Sequence, residues 1–161
     1  MLKYSAGILV YKIEDNRIKV LLCHLAGPYW QYVDHGSWTI PKGEFCEEKA
    51  ILAAIREFRE ETDFYINIEE LTFLGSKKQL SNKLAIIFDA FHDFDVSQAS
   101  SNTFVIEWPK GSGNFQEFPK VNSAKWFDID EAKKKILKGQ LYFLTKLEQK
   151  LVGVHSCKKL L

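Results

Sequence analysis

The chain has 161 residues, 46% of them hydrophobic and 27% charged, the proportions of one soluble globular domain with a core of its own. Its formal net charge is +1, so no global field draws it to a nucleic-acid polymer or a membrane surface. Cys23, Cys46 and Cys157 form an odd set without CxxC or Cys/His spacing, which argues against a zinc site or a disulfide framework, and Cys157 stands one place off a prenylation box.

The opening "MLKYSAGILVYKIEDN" holds too short an apolar run for a membrane span and lacks a signal-peptide cleavage pattern, so a reducing cytoplasm is the expected compartment. "YSAGILVYKI" and "RIKVLLCHL" read as β-rich runs joined by "EDN", a hairpin or meander. "AGPYWQYVDHGSW" is loop-like, and its rings (Tyr29, Trp30, Tyr32 and Trp38) suit either stacking on a base or packing on a sheet. "WTI" predicts a short strand stopped by Pro41 and turned by Gly43.

From Glu47 to Thr62 the pattern is helical, with Ile51, Ala54, Ile55 and Phe58 as the buried stripe and Glu57, Glu60 and Glu61 on the opposite side. "FYINI", "LTFLGS" and "KLAIIFDAFHDF" read as strands, and residues 96–123 as a long, polar, turn-rich segment. "AKWFDI" closes the sheet. Asp128 with Glu131 forms a capping box for a helix starting near Ile129, which Gly139 breaks before "LYFLTKLEQKLV". His24 and His92 read as structural, and Lys77-Lys78, Lys133 to Lys135 and Lys158-Lys159 as solvated surface. The order of elements predicts an α/β fold, a mixed sheet between helices, in one domain over residues 1–161.

Around the first helix the order is Gly43, Glu48, Arg56-Glu57, Glu60-Glu61. Glutamates at three- and four-residue spacing are neighbours on a helix and repel by a few tenths of a kcal/mol per pair, roughly what an ordinary solvated face tolerates. They also suit a hard cation, since Mg²⁺ takes oxygen ligands and is typically held by one or two carboxylates plus substrate phosphates.

"GEFCEEKAILAAIREFREETDF" resembles the Nudix box, matching it at Gly43, Glu48, Arg56, Glu57, Phe58, Glu60, Glu61 and Phe64. The likeness extends to "SAGILVY", "GSWTIPKGEF" and "EFPKVNSAKWFDIDEAKKKIL", which are similar to a bacterial group of predicted nucleotide pyrophosphohydrolases. It implies a Nudix fold, an α/β/α sandwich, and Mg²⁺-dependent hydrolysis of a phosphoanhydride in a nucleoside diphosphate linked to another moiety. A nucleoside triphosphate, a dinucleoside polyphosphate and a nucleotide sugar all qualify; "WTIPKG" is similar to the lead-in of dinucleoside-tetraphosphate hydrolases. The alternative is a non-catalytic Nudix-like domain that senses a nucleotide.

The resemblance further implies that Glu57, Glu60, Glu61 and the Gly43 carbonyl hold Mg²⁺ (or Mn²⁺), while Arg56 and Glu48 form an orienting pair. Lys42 and Trp38 are candidate substrate contacts, and Glu117 is a candidate base outside the box, Lys120 standing where related sequences carry an acid. The expected partner is a small nucleotide, and the expected state a monomer or homodimer. Two departures stand out. Only four residues separate Gly43 from Glu48, one fewer than in the box, and Asp63 replaces a glycine that takes a left-handed backbone.

Overall fold

Two neighbouring residues with positive φ, Asp15 (51°) and Asn16 (64°), turn β1 (Lys3–Glu14) back along β2 (Arg17–Leu25). A two-residue turn of this kind matches the natural twist of a hairpin, and Asp and Asn tolerate it better than most residues. Side chains then alternate across the sheet: Ala6, Ile8 and Val10 of β1 enter one core with Leu21 and Cys23 of β2, while Leu9, Val20 and Leu22 enter the other. Burial on both faces is why these strands read as nearly continuous apolar runs.

The computed structural model describes residues 1–159, with side chains to residue 153; the expectations for Cys157 and for Lys158-Lys159 lie outside the described side chains. After β2 come β3 (Trp38–Thr39), β4 (Lys42–Phe45), α1 (Ala50–Thr62), β5 (Thr72–Gln79) and β6 (Lys83–Phe91). They are followed by β7 (Thr103–Glu107), β8 (Phe115–Pro119), β9 (Val121–Asp128), α2 (Ile129–Lys135) and α3 (Leu141–Lys159). The main sheet runs β3-β2-β1-β6-β5, with β4 added to β1 and β9 to β2, while β7 and β8 form a separate ribbon. The β1–β6 pair is parallel and the others antiparallel, so the sheet is mixed. Ala53, Ala54 and Phe58 of α1 cover one face; Ile129 and Ala132 of α2 and Phe143, Leu144 and Leu147 of α3 cover the other. This is the expected α/β/α sandwich.

The topology opens a cleft at β1. Residues Tyr11 to Glu14 pair with β2, but Tyr4 to Gly7 pair with β4 instead. Strand β2, paired with β9 from Lys19 onward, leaves β1 after Val20 and pairs with β3 at Cys23 and His24, and the gap between its end and β4 faces α1.

Several expectations are corrected. "FYINI" is not a strand: Ile66 plugs a core at 1% exposure and a short 3-10 turn, Ile68–Glu70, follows, capped reciprocally by Asn67 and Glu70. The polar segment conceals β7 and β8, and α1 begins at Ala50 rather than Glu47. Asp128 precedes α2 as expected but makes no side-chain cap; its carboxylate meets Arg17 at 3.3 Å. The α2 helix ends before Gly139, at Ile136, whose extended backbone bridges Trp38; Gly139 lies in the 3-10 turn leading into α3. Gly43 makes no turn but lies inside β4, opposite Ala6.

Helix α3 is fastened by a buried charge. Asp89, 3% exposed, accepts from Lys150 Nζ at 2.7 Å and from Thr72 Oγ1 at 2.7 Å, and Lys150 also reaches Thr72 at 2.6 Å. Replacing Lys150 by Met leaves that carboxylate without its cation. The expected loss is about 2–4 kcal/mol, discounted for the partly exposed lysine, read as a lower urea midpoint with unchanged m-value. The αL cap of α1 gives the opposite test. Asp63 sits at φ 65°, ψ 12°, its N–H donating to the Arg59 carbonyl at 2.8 Å, with a negative charge at a helix C-terminus. Asp63→Gly is expected to stabilise by about 0.5–1 kcal/mol, roughly 1–4 °C in thermal midpoint for a chain of this size.

Candidate active site

Strand β4 and helix α1 touch through a missing side chain. A Cβ built on Gly43 would lie 2.1 Å from Glu57 Cδ and Oε2 and 2.4 Å from Oε1. The Glu57 carboxylate therefore rests directly on the β4 backbone, a position any other residue at 43 would fill. Glu57 is 6% exposed, so it belongs to the buried side of α1 and not to the solvated side that helical periodicity suggests.

One guanidinium organises the remaining acids. Arg56 Nε donates to Glu48 Oε1 at 3.0 Å and Nη2 to the same oxygen at 2.5 Å, tying the loop before α1 to the helix. Arg56 Nη1 donates to Glu57 at 2.8 Å and to Glu60 at 3.3 Å. Glu48 foremost, and then Glu57, hold the guanidinium above its ordinary pKa despite partial burial. Arg56 and Glu48 are thus ion-paired, the loop before α1 delivering Glu48 to the guanidinium although it is one residue shorter than in the box.

Glu61 completes the group. Its Oε2 accepts the Lys42 backbone N–H at 3.2 Å, and burial, reinforced by the charge of Glu57, pushes its carboxyl up to about 8. Cys23 on β2 adjoins it, its thiol raised by burial and then by the Glu61 charge. Glu60 lies between Arg56 and Lys120, whose Nζ is 3.4 Å from Glu60 Oε2. Burial and the neighbouring Lys83 lower the Lys42 ammonium, against the pull of Glu61, Glu44 and Glu57. The resulting cleft has a volume of about 490 Å³, and Lys42, Gly43, Glu57, Glu61, Phe104 and Lys120 line it.

The other sequence candidates lie elsewhere. Trp38 is 5% exposed, its ring edge-on to Phe127 and its Nε1 donating to Asp34 at 3.0 Å, so it is a core residue and does not line the cleft. Glu117 is exposed on β8 and accepts from Thr103 Oγ1, outside the group of box glutamates. His24 is structural as expected, its Nε2 meeting the Val33 carbonyl at 2.6 Å. Sequence reading missed Phe104, which the β7–β8 ribbon brings over the cleft; the alternating "TFVIE" was the available signal. The ribbon hangs from α1 by two main-chain bonds, Ser100 N–H to the Thr62 carbonyl (3.0 Å) and Asn102 N–H to the Glu60 carbonyl (2.8 Å), and Lys120 N–H to the Asn102 carbonyl (2.9 Å) closes its base.

The donor set of Glu57, Glu60, Glu61 and the Gly43 carbonyl consists entirely of oxygen, as a hard dication requires. The buried Glu57 and the half-buried Glu61, which repel each other, are the kind of pair that a dication relieves. Among the described residues, no three His, Cys, Asp or Glu side chains converge on one point as they stand. Glu60 is turned toward Arg56 and Lys120.

Residues 1–147 match the family described as NUDIX domain. Similar solved structures include a C. elegans Ap4A hydrolase binary complex, 22% identical at TM-score 0.62 and covering 94% of this chain and 99% of that one. The NUDIX domain of Shewanella oneidensis NrtR, complexed with ADP ribose, is 14% identical at TM-score 0.64, covering 94% and 89%. A mutT/nudix family protein from Listeria innocua is 16% identical at TM-score 0.62, covering 96% and 97%. At these identities the likeness is one of fold. No curated protein matches the sequence.

The raised Glu61 pKa gives a signed prediction for the metal-free chain. Between about pH 4.5 and 8 the folded state keeps a proton that the unfolded state has released, so stability is full below this window and falls as pH rises through it. The slope contributed approaches about 1.4 kcal/mol per pH unit at its steepest. Urea midpoints measured in chelator across that window should decline with pH, and Glu61→Gln should flatten the decline; equal slopes in both proteins would refute the assignment.

Proposed function

The chain belongs to the NUDIX family, and from that premise we propose that it is a metal-dependent nucleotide pyrophosphohydrolase. On this reading it cleaves a phosphoanhydride in a nucleoside diphosphate linked to another moiety. The observation that carries the proposal is the contact between the Glu57 carboxylate and the bare backbone of Gly43, which sets the acids of α1 against the lip of the cleft.

Mg²⁺, or Mn²⁺ in its place, would be held by Glu57, Glu60, Glu61 and the Gly43 carbonyl. When bound it supplies Lewis acidity toward phosphoryl oxygens and lowers the pKa of water. The chain's own residues do the rest. Arg56 fixes Glu57 and Glu60 in rotamer and, through Glu48, fixes the loop before the helix. Lys42 and Lys120, on the cleft wall, offer positive charge to a diphosphate. A carboxylate must still take the proton of the attacking water, and Glu61, which lines the cleft, is one candidate. Glu117 is a second candidate base, one that the β7–β8 ribbon would have to carry inward after release from Thr103.

A sensing role is the second reading. It is favoured by the Lys120 ammonium beside Glu60, a position where a substrate-activating acid would serve hydrolysis better. It also agrees in kind with the NrtR domain complexed with ADP ribose.

Release of phosphate or pyrophosphate from a panel of nucleotides, with and without Mg²⁺, tests both. Metal-dependent turnover is expected, reduced roughly a hundredfold or more in Glu60→Gln and Glu61→Gln. Turnover of no substrate, or turnover indifferent to metal and to both substitutions, rejects the hydrolase. Tight binding of a nucleotide that is never cleaved establishes the sensor.

A further inference from the structure

The base of the β7–β8 ribbon carries a cation into the cleft. Lys120 stands between β8 and β9, its N–H donating to the Asn102 carbonyl at 2.9 Å, and the next N–H, of Val121, donates to Ser101 Oγ at 3.1 Å. Asn102 in turn donates to the Glu60 carbonyl at 2.8 Å. The Lys120 backbone is thereby tied to that of Glu60 through Asn102 alone, and the lysine side chain crosses back toward the helix. Its Nζ ends 3.4 Å from Glu60 Oε2.

Glu60 is the acid of this group whose two oxygens face two different cations. Oε1 accepts from Arg56 Nη1 at 3.3 Å, and Oε2 faces the Lys120 ammonium. Both contacts are longer than a tight charge-assisted bond. The two cations differ in their commitments. Arg56 also holds Glu48 and Glu57, so its fork keeps its place whatever Glu60 does. Lys120 has no other carboxylate partner among the described residues, and its charge reaches Glu61 as well. The Lys120 and Glu60 side chains are 35% and 31% exposed, and an ion pair with that much water around it is weak enough for a dication to displace.

We propose that Lys120 is a tethered rival of the metal for Glu60. Without metal, the ammonium neutralises that carboxylate; on metal binding it leaves Glu60 and stays in the cleft that it lines. The proposal rests on the metal-dependent reading above and adds to it a positioning role for Lys120, exerted through Glu60. The rivalry lowers the affinity of the substrate-free chain for metal, because only the fraction of molecules with Glu60 released is competent to bind fully.

The test measures Mn²⁺ bound to the full, substrate-free chain, by the loss of the free-ion signal in electron paramagnetic resonance. Lys120→Gln, and Lys120→Met with its apolar stem, are each expected to bind Mn²⁺ roughly tenfold more tightly than the wild type. Lys120→Arg, which keeps the charge, and Lys134→Gln, the same charge loss on α2, should stay near the wild-type affinity. A folding defect weakens binding, so a gain is specific to the rivalry. In a Glu60→Gln background the gain should vanish, which marks Lys120 as acting through that carboxylate. Equal or weaker binding in both neutral variants overturns the proposal and leaves the metal-dependent reading standing. A gain that survives Glu60→Gln overturns it as well. Mn²⁺ bound by none of these proteins overturns the proposal and the metal-dependent reading together.

Discussion

The site depends on one steric fact: helix α1 can lie against strand β4 only because residue 43 has no side chain. Glu57 occupies that space with its carboxylate, and everything downstream follows from the helix being held so close. With Glu57 on the strand, Glu61 one turn later reaches the Lys42 amide, and Glu60 faces out toward Lys120. Glycine is required here for its size. Its freedom of backbone angle, the usual reason to expect it in a loop, plays no part within a strand.

The second organising term is charge balance. Glu48, Glu57, Glu60 and Glu61 crowd a small volume, and Arg56, Lys120 and Lys42 stand among them. Arg56 engages three of the four acids, a task for a planar fork of donors that lysine's point charge would perform poorly. The acid with least compensation is Glu61, which receives one backbone hydrogen bond and feels Glu57 in a buried setting. The cluster is therefore poised unevenly: rigid at Glu57, exchangeable at Glu60, reluctant to ionise at Glu61.

The sheet was largely legible in the sequence because its strands are buried on both faces and rich in Ile, Leu and Val, as in β1, β2 and β6. The β7–β8 ribbon was not: it is mostly exposed, it covers no core, and its polar surroundings mask a short alternation. "FYINI" misled in the opposite way, having the right composition for a strand while only Ile66 finds a core to enter. Within the site, the spacing of Glu48, Arg56, Glu57, Glu60 and Glu61 identified the group, since a helix makes those residues neighbours. Spacing could not say that Glu57 is buried, because that depends on a strand remote from the helix register. The aromatic Trp38 looked available to a ligand for the same reason: only the tertiary contacts with His24 and Phe127 reveal that it is spent on the core.

Two main-chain bonds, from Ser100 and Asn102, suspend the β7–β8 ribbon from the end of α1, and a third, from Lys120 to Asn102, closes its base. Apart from the Lys120–Glu60 pair and the Ser101 hydroxyl at its base, that attachment runs through the backbone, and Phe104 takes no part in it. A scaffold of this kind separates what must stay constant from what is free to vary. Descendants of such a chain could acquire new preferences by rewriting one hairpin, as a lathe takes a different cutting bit while its spindle stays true.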